Sequence, residues 1–462
     1  MQVLFQSSAE ASSTPGIGII PCPIYRFDDS DKPVPHIGWN SAVCSDNQGS
    51  KFYYFVHSYC AKYEPDKYPE ASTWIHSTTQ YGQEVFISHV KKGSISAVQF
   101  HPEKSGEAGL ALIDEWLHTH STTRPTNSIQ HPPRLKHHLT KRIIACMDVR
   151  ANDEGDLVVT KGDQYDVREK ATSPQVKTAG AVRNLGKPIT LASQYYHAGA
   201  DEICLLNITS FRHSPLLDQP MLAVVRAAAE SVFVPLTIGG GIKDTIEPDG
   251  TRRSALEVAG AYFRAGADKV SIGSEAVYAV EKLLSTNTPS VGGGTSAIEM
   301  IAHTYGRQAV VVSIDPRRVY VDPSAYQGPY QNEVVYGTSA TERGKAWWYQ
   351  CTVSGGRESR PLSVCQLAKG VEILGAGEIL LNSIDRDGTG LGYDLDLLRL
   401  VKKSVRIPVI ASSGAGGVED FVRAFEETDV EAALAAGIFH RGEVTIAQVK
   451  ERLQEVGIHV RR

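Results

Sequence analysis

Three segments of this chain occur twice. RIIACMDVR (142–150) resembles VVVSIDPRR (310–318), ADEICLLNITSF (200–211) resembles AGEILLNSIDRD (376–387), and VPLTIGGGIKD (234–244) resembles IPVIASSGAGGVED (407–420), each at an offset of roughly 170 residues. The repeated unit is itself informative. Ile143–Cys146 is an unbroken apolar run between Lys141-Arg142 and Asp148, too short for a helix. Such a run suits a strand buried on both faces of a parallel sheet. From residue 141 to the C-terminus strand and helix patterns alternate, with strands expected at Ile143–Asp148, Glu202–Asn207, Pro235–Ile238, Lys269–Ile272, Val310–Ile314, Glu378–Asn382, Pro408–Ala411 and Ala432–Ala435. Eight strands in two related halves predict a (β/α)8 TIM barrel with insertions.

That fold orients the chemistry, because the C-terminal ends of barrel strands carry the active site. The repeat places Asp148 and Asp315 at equivalent ends of opposite strands, as a pair of candidate general acid/base groups. A single aspartate there could equally be a helix cap. Two glycine-rich turns follow strands, Gly239-Gly240-Gly241 and Ser413-Gly414-Ala415-Gly416. Glycine lets backbone N–H groups approach an anion, although it also serves a tight turn. Two such turns at equivalent positions suggest a substrate with a phosphate at each end. Residues 151–188, 283–296 and 319–355 read as excursions, the first and third on the active-site face and the third as a hairpin.

Composition narrows the classes of function. A net charge of -5 gives no electrostatic case for nucleic acid, and no apolar run is long enough to span a membrane. Seven scattered cysteines without a CxxC pair fit reduced thiols in a cytoplasmic enzyme better than disulfides or zinc. No metal or cofactor site is expected, since the histidines at 118, 120, 131, 137 and 138 lie mostly in the linker and lack partners that would orient them as ligands. Residues 1–120 form a separate α/β unit with strands at Lys51–Ser58, Glu84–His89 and Ile95–His101 and a helix at Gly109–His118; 121–140, rich in Pro, Thr, Ser and His, form a linker; 141–462 form the barrel.

RIIACMDVR, VVTKGDQYD, PLTIGGGI, GADKVSIG, VVVSIDPRR, GAGEILLNSIDRDGTGLGYD and PVIASSGAG together resemble, almost end to end, the cyclase of the imidazole glycerol phosphate synthase family. PVPHIGWN (33–40), YYFVHSY (53–59) and AVQFHPEKSG (97–106) resemble part of its class I glutamine amidotransferase partner. Both in one chain is similar to the fused bifunctional form of fungi and plants. The resemblance implies histidine biosynthesis, with two small-molecule substrates. Glutamine supplies ammonia, which reacts with a ribulosyl-phosphate aminoimidazole-carboxamide nucleotide (PRFAR) to give imidazole glycerol phosphate and AICAR.

It also implies roles for residues. Asp148 and Asp315 match the acid/base pair; Lys161, Gln308 and Asp387 match substrate-site positions, beside Gly240, Gly241, Gly414 and Gly416. Arg142, Glu202, Lys269 and Glu378, at the starts of four strands, would on their own be rim salt bridges; the resemblance makes them the gate for ammonia at the far end of the barrel, where the two domains of the chain interact. His101 and Glu103 match the glutaminase base and its orienting carboxylate, expected to share a face of an extended segment. Gln2, Ser58 and Tyr59 match glutamine contacts.

The nucleophile of that family is a cysteine within Gly-x-Cys-x-Gly, and Met1–Phe5 match the residues that follow it, so an N-terminally truncated glutaminase is expected, inactive in this chain. Two other readings remain at this stage: a sister phosphosugar isomerase barrel, and a non-catalytic interaction module at the N-terminus.

Overall fold

The computed structural model describes residues 1–11, 13–44, 50–118, 139–151, 157–160, 188–208, 221–247, 249–285, 295–338 and 342–461. The linker except 139–140, most of the first excursion with Lys161, and 286–294 of the second therefore lie outside the described residues. The chain divides into two compact units, one of Met1–Arg142 with Ile458–Arg461, the other of Ile143–Gly457. The C-terminal tail Ile458–Arg461 groups with the first unit, where the Lys141 N–H donates to the His459 carbonyl at 2.8 Å and the Arg461 guanidinium lies 4.1 Å from the Trp39 ring centroid.

In the first unit a five-stranded antiparallel sheet runs in the order Ser50–His57, His36–Cys44, Ile75–Tyr81, Glu84–Lys92 and Ile95–Val98. Phe5–Ser8 pairs in parallel with Ile20–Arg26, which pairs antiparallel with Tyr59–Cys60. Phe55, Tyr81 and Phe86 on the sheet are buried in one cluster with Phe27 and Phe100 from the segments beside it. The helix Gly106–His118 begins three residues before its expected start.

The second unit is a closed barrel. Its strands are β1 (Arg142–Ala151), β2 (Glu202–Asn207), β3 (Leu236–Gly239), β4 (Lys269–Ile272), β5 (Val310–Ile314), β6 (Glu378–Asn382), β7 (Val409–Ser412) and β8 (Ala432–Ala435). Each of β1 to β7 pairs in parallel with the next, and β1 also pairs with β8. The eight expected strands are all present, five of them with the expected first residue or within one of it and the same last residue. Ile144, Cys146, Cys204, Val311, Leu380, Ile410, Ala432 and Leu434 point inward and fill the barrel, which accounts for two of the cysteines as small apolar core residues.

Helices between strands are delimited by sequence. Ser254 with Glu257, Ser296 with Glu299, Ser363 with Gln366 and Thr445 with Gln448 form reciprocal capping boxes. Gly266 and Gly375, at φ of 111° and 108°, end two helices just before β4 and β6 in a backbone conformation that Cβ-bearing residues resist. The third excursion is larger than a hairpin: Pro316–Val321, Val335–Tyr336, Ala346–Val353 and Glu358–Ser363 form a four-stranded antiparallel sheet between β5 and β6.

Candidate active site

At the C-terminal ends of the strands lies a cavity of about 560 Å³ whose walls include Asp148 after the apolar run of β1, Asp315 after β5, and Asp387 in the loop after β6. Burial first, and then the like charge of Asp387, push the Asp148 carboxyl up to about 7. Asp315 is also pushed up by burial. The Asn382 amide opposes this by donating to Oδ1 at 2.6 Å, the Asp387 charge adds to it, and the Ser313 hydroxyl opposes it from 3.5 Å. Both aspartates are thus raised by burial and by the Asp387 charge, and Asp315 in addition accepts from Asn382 and Ser313, which favour its ionised form. The Thr352 hydroxyl donates to the Asp315 backbone carbonyl at 2.5 Å, tying the catalytic-face end of β5 to the inserted sheet.

The glycine turns have separate explanations. Gly414 lines the cavity with Ser412, Ser413 and Ala415. Its φ is 99°, and a Cβ there would lie 2.4 Å from the Gly392 carbonyl oxygen. Gly416 does not line the cavity; its N–H donates to the Asp420 carboxylate at 2.8 Å, and a Cβ would lie 2.2 Å from the Gly390 carbonyl oxygen. That N–H caps the helix Val418–Thr428, and glycine is required at 416 by the loop packed against it. Gly240 and Gly241, at φ of 90° and 78°, turn the chain after β3 and do not line this cavity.

Gln308 is also placed elsewhere. It lies in the short 3-10 turn Arg307–Ala309 that precedes β5, with its amide donating to the Tyr305 carbonyl at 3.1 Å. Asp315 follows the same strand, so the two residues are at opposite ends of the barrel and Gln308 has no place in the cavity. Sequence reasoning missed Asn382, Ser313, Arg317, Arg357, His440 and Arg441, all of which line it. Asn382 could have been found, since it is the last residue of an expected strand. Arg317 and Arg357 come from the inserted sheet and its turn, where no local pattern signals an inward side chain.

At the other end of the barrel, Lys269 Nζ forms ion pairs with Glu202 at 2.7 Å and Glu378 at 2.8 Å, with all three side chains at most 1% exposed. Thr237 adds a hydrogen bond of 2.5 Å to Glu202. Arg142 is fully buried at the start of β1. These residues are interior ionic groups, not the solvated rim that charged strand starts alone would suggest.

In the first unit, His101 Nδ1 and Glu103 Oε1 are 2.8 Å apart. The contact is made across a 3-10 turn, Pro102–Lys104, and not along the extended segment that was expected. Gln2 Nε2 donates to the Tyr59 carbonyl at 3.1 Å and to Gln99 Oε1 at 3.3 Å, which gathers Gln2, the Ser58-Tyr59 segment and the strand leading to His101. Among the described residues there is no cluster of three or more metal-ligating side chains, and no helix is long and apolar enough to cross a membrane.

A parallel (β/α)8 barrel with facing carboxylates at its catalytic end, joined in one chain to an amidotransferase-like unit with a His–Glu pair, defines a glutamine-amidotransferase–barrel fusion enzyme. Residues 142–445 match the family described as histidine biosynthesis protein, and residues 1–118 match glutamine amidotransferase class-I. Imidazole glycerol phosphate synthase hisHF of Emericella nidulans is 51% identical over 476 residues, covering all of this chain and 84% of that protein. The chloroplastic hisHF protein of Arabidopsis thaliana is 53% identical over 471 residues, covering all of this chain and 76% of that protein. The HisF subunit of Haloarcula marismortui is 38% identical over 323 residues, covering 70% of this chain and 99% of the subunit. The chain belongs to the imidazole glycerol phosphate synthase family, bifunctional enzymes of histidine biosynthesis, and not to the sister isomerases.

Proposed function

We propose that the barrel converts PRFAR and ammonia into imidazole glycerol phosphate and AICAR, with Asp148 as general acid and Asp315 as general base. The observation that carries the reading is the pair of repeat-related carboxylates in one cavity with unlike surroundings. Imine formation, C–N cleavage and ring closure with loss of water need protons delivered and removed at separated atoms. Asp148, pushed up to about 7, still holds a proton near neutrality and can donate it. Asp315, whose Oδ1 accepts from Asn382, is the better-prepared base. Burial keeps the proton on Asp148, and the like charge of Asp387 adds to that effect. The Ser413-Gly414 turn is suited to one substrate phosphate, and the Gly240-Gly241 turn and Lys161 are assigned to the other. The Arg142, Glu202, Lys269 and Glu378 group is the ammonia gate. Reduced, mostly buried thiols fit a cytoplasmic setting.

His101 and Glu103 are the glutaminase base and its orienting group, with Gln2, Ser58 and Tyr59 contacting glutamine. Burial pushes the thiol of Cys22 up to about 11 and raises that of Cys60, away from the reactive thiolate.

The test is PRFAR turnover by the 462-residue chain with an ammonium salt. Turnover that is abolished in Asp148→Asn and in Asp315→Asn is the expected result, and undiminished turnover in either variant would overturn the acid/base assignment.

A further inference from the structure

The loop Ser383–Asp394, which follows β6, carries Asp387 and also forms the wall against which Gly414 and Gly416 pack. Its two ends are joined: the Ser383 hydroxyl donates to Asp394 Oδ2 at 3.2 Å. Asp394 is 3% exposed and collects further donors, with Arg318 Nη2 at 2.9 Å and Nε at 3.2 Å on Oδ2, and the Tyr349 hydroxyl at 2.8 Å on Oδ1. Arg318 and Tyr349 both belong to the four-stranded inserted sheet. Arg318 also stacks on Trp347, with 4.1 Å from its guanidinium carbon to the ring centroid, and its other side meets Glu342 at 2.5 Å.

The same group reaches the two residues immediately before Asp387. The Arg318 backbone N–H donates to Asp385 Oδ2 at 2.8 Å, and Glu342 pairs with Arg386 at 3.2 Å. A loop whose tip, 387–391, is exposed and which has no strand or long helix of its own is thereby held at its neck and beside its functional residue. A buried, multiply bonded arginine–aspartate pair is a costly way to gain stability but a specific way to fix one geometry.

We propose that the Arg318–Asp394 pair, with Tyr349 and Glu342, is a positioning device for catalysis: the inserted sheet serves as the scaffold that holds Asp387 at the acid/base pair. This rests on the assignment of Asp148 and Asp315 as acid and base. The device acts through Asp387 and touches no substrate, so its loss is felt only while Asp387 is present to be misplaced. The other ionisable groups lining the cavity near Asp148 are Cys146, Asp315, Arg317, Arg357, His440 and Arg441. Among the described contacts, none of them bonds to Asp394, so a change there reaches Asp148 by way of Asp387.

The experiment is a double-mutant cycle on ammonia-dependent PRFAR turnover in the 462-residue chain, read by single turnover with enzyme in excess and at constant free ammonia. Asp394→Asn alone is expected to lower kcat/KM about tenfold, as a small displacement of a catalytic loop does. In an Asp387→Asn background it should cost less than about twofold. Asp394→Asn and Asp387→Asn should both move the alkaline limb of the kcat/KM profile toward lower pH, because each weakens the Asp387 charge that adds to burial in keeping the proton on Asp148. Tyr349→Phe, which keeps the ion pair, should move both readouts in the same direction by less, and serves if Asp394→Asn does not fold. Equal losses in both backgrounds, or an unmoved alkaline limb, would overturn the proposal. Activity surviving in Asp148→Asn would instead overturn the acid/base assignment on which it rests.

Discussion

Replacing Asp148 with asparagine is expected to abolish turnover and to make the barrel more stable. A carboxyl raised from 3.8 to about 7 in the folded protein binds its proton more tightly folded than unfolded. Below pH ~4 both states are protonated and the group contributes nothing. As the pH rises toward 7 the unfolded chain ionises first, so folding is progressively penalised, and above 7 the penalty is constant. A rise from 3.8 to about 7 corresponds, at ~1.36 kcal/mol per tenfold in proton affinity, to about 4 kcal/mol; because Asp148 is only half-buried, about 2–4 kcal/mol is the working figure. Asparagine has nearly the same shape and no charge, so it avoids the penalty. The assay is urea unfolding of the wild-type chain and Asp148→Asn across pH 4 to 9, followed by circular dichroism and by tryptophan fluorescence. The variant should gain on the wild type as pH rises, with the difference growing up to pH ~7 and level thereafter. A variant that is less stable at pH 8, or a difference that does not depend on pH, would refute the reasoning, because it would mean that the folded state accommodates the ionised carboxylate without cost.

Three further outcomes follow from the geometry. Lys269→Met should destabilise the barrel by about 3–5 kcal/mol, measured by the same unfolding assay, since it leaves Glu202 and Glu378 buried without their shared cation. Asn382→Ala should raise the Asp315 pKa by removing a donor that favours the carboxylate, moving the acid limb of kcat/KM to higher pH by up to about one unit; an unmoved limb would show that Asp315 is not the base. Gly414→Ala places a Cβ against the Gly392 carbonyl at a φ of 99° and should lower stability by about 1–3 kcal/mol while raising KM for PRFAR, as read by thermal melting and initial rates.

Much of this molecule could be read from its sequence. The apolar runs ending in Asp148 and Asp315, and their recurrence in two halves, led to eight strands in the observed order and to the end of the barrel where chemistry takes place. Strand periodicity, capping boxes such as Ser254 with Glu257, and helix-ending glycines such as Gly375 are local signals, each read within a few residues. The candidate site was legible to the same extent: a residue following an apolar run in an expected strand could be placed at the cavity, as Asp148 was and as Asn382 could have been.

The tertiary structure decided everything that depends on what stands opposite a residue. Gln308 and Asp315 are close in sequence, but a strand separates them and sends them to opposite ends of the barrel. Gly414 and Gly416 look alike in a turn, but only Gly414 faces the cavity, while Gly416 is held by Asp420 and by the loop after β6. His101 reaches Glu103 through a 3-10 turn that the His-Pro-Glu spacing does not announce. Asp148 and Asp315 occupy equivalent positions in the repeat and are both raised by burial and by the Asp387 charge, but only beside Asp315 do Asn382 and Ser313 oppose that rise. The physical reason is range: backbone conformation is set largely by neighbours along the chain, whereas charge, burial and hydrogen bonding at a site are set by neighbours in space, which only the closed barrel assembles.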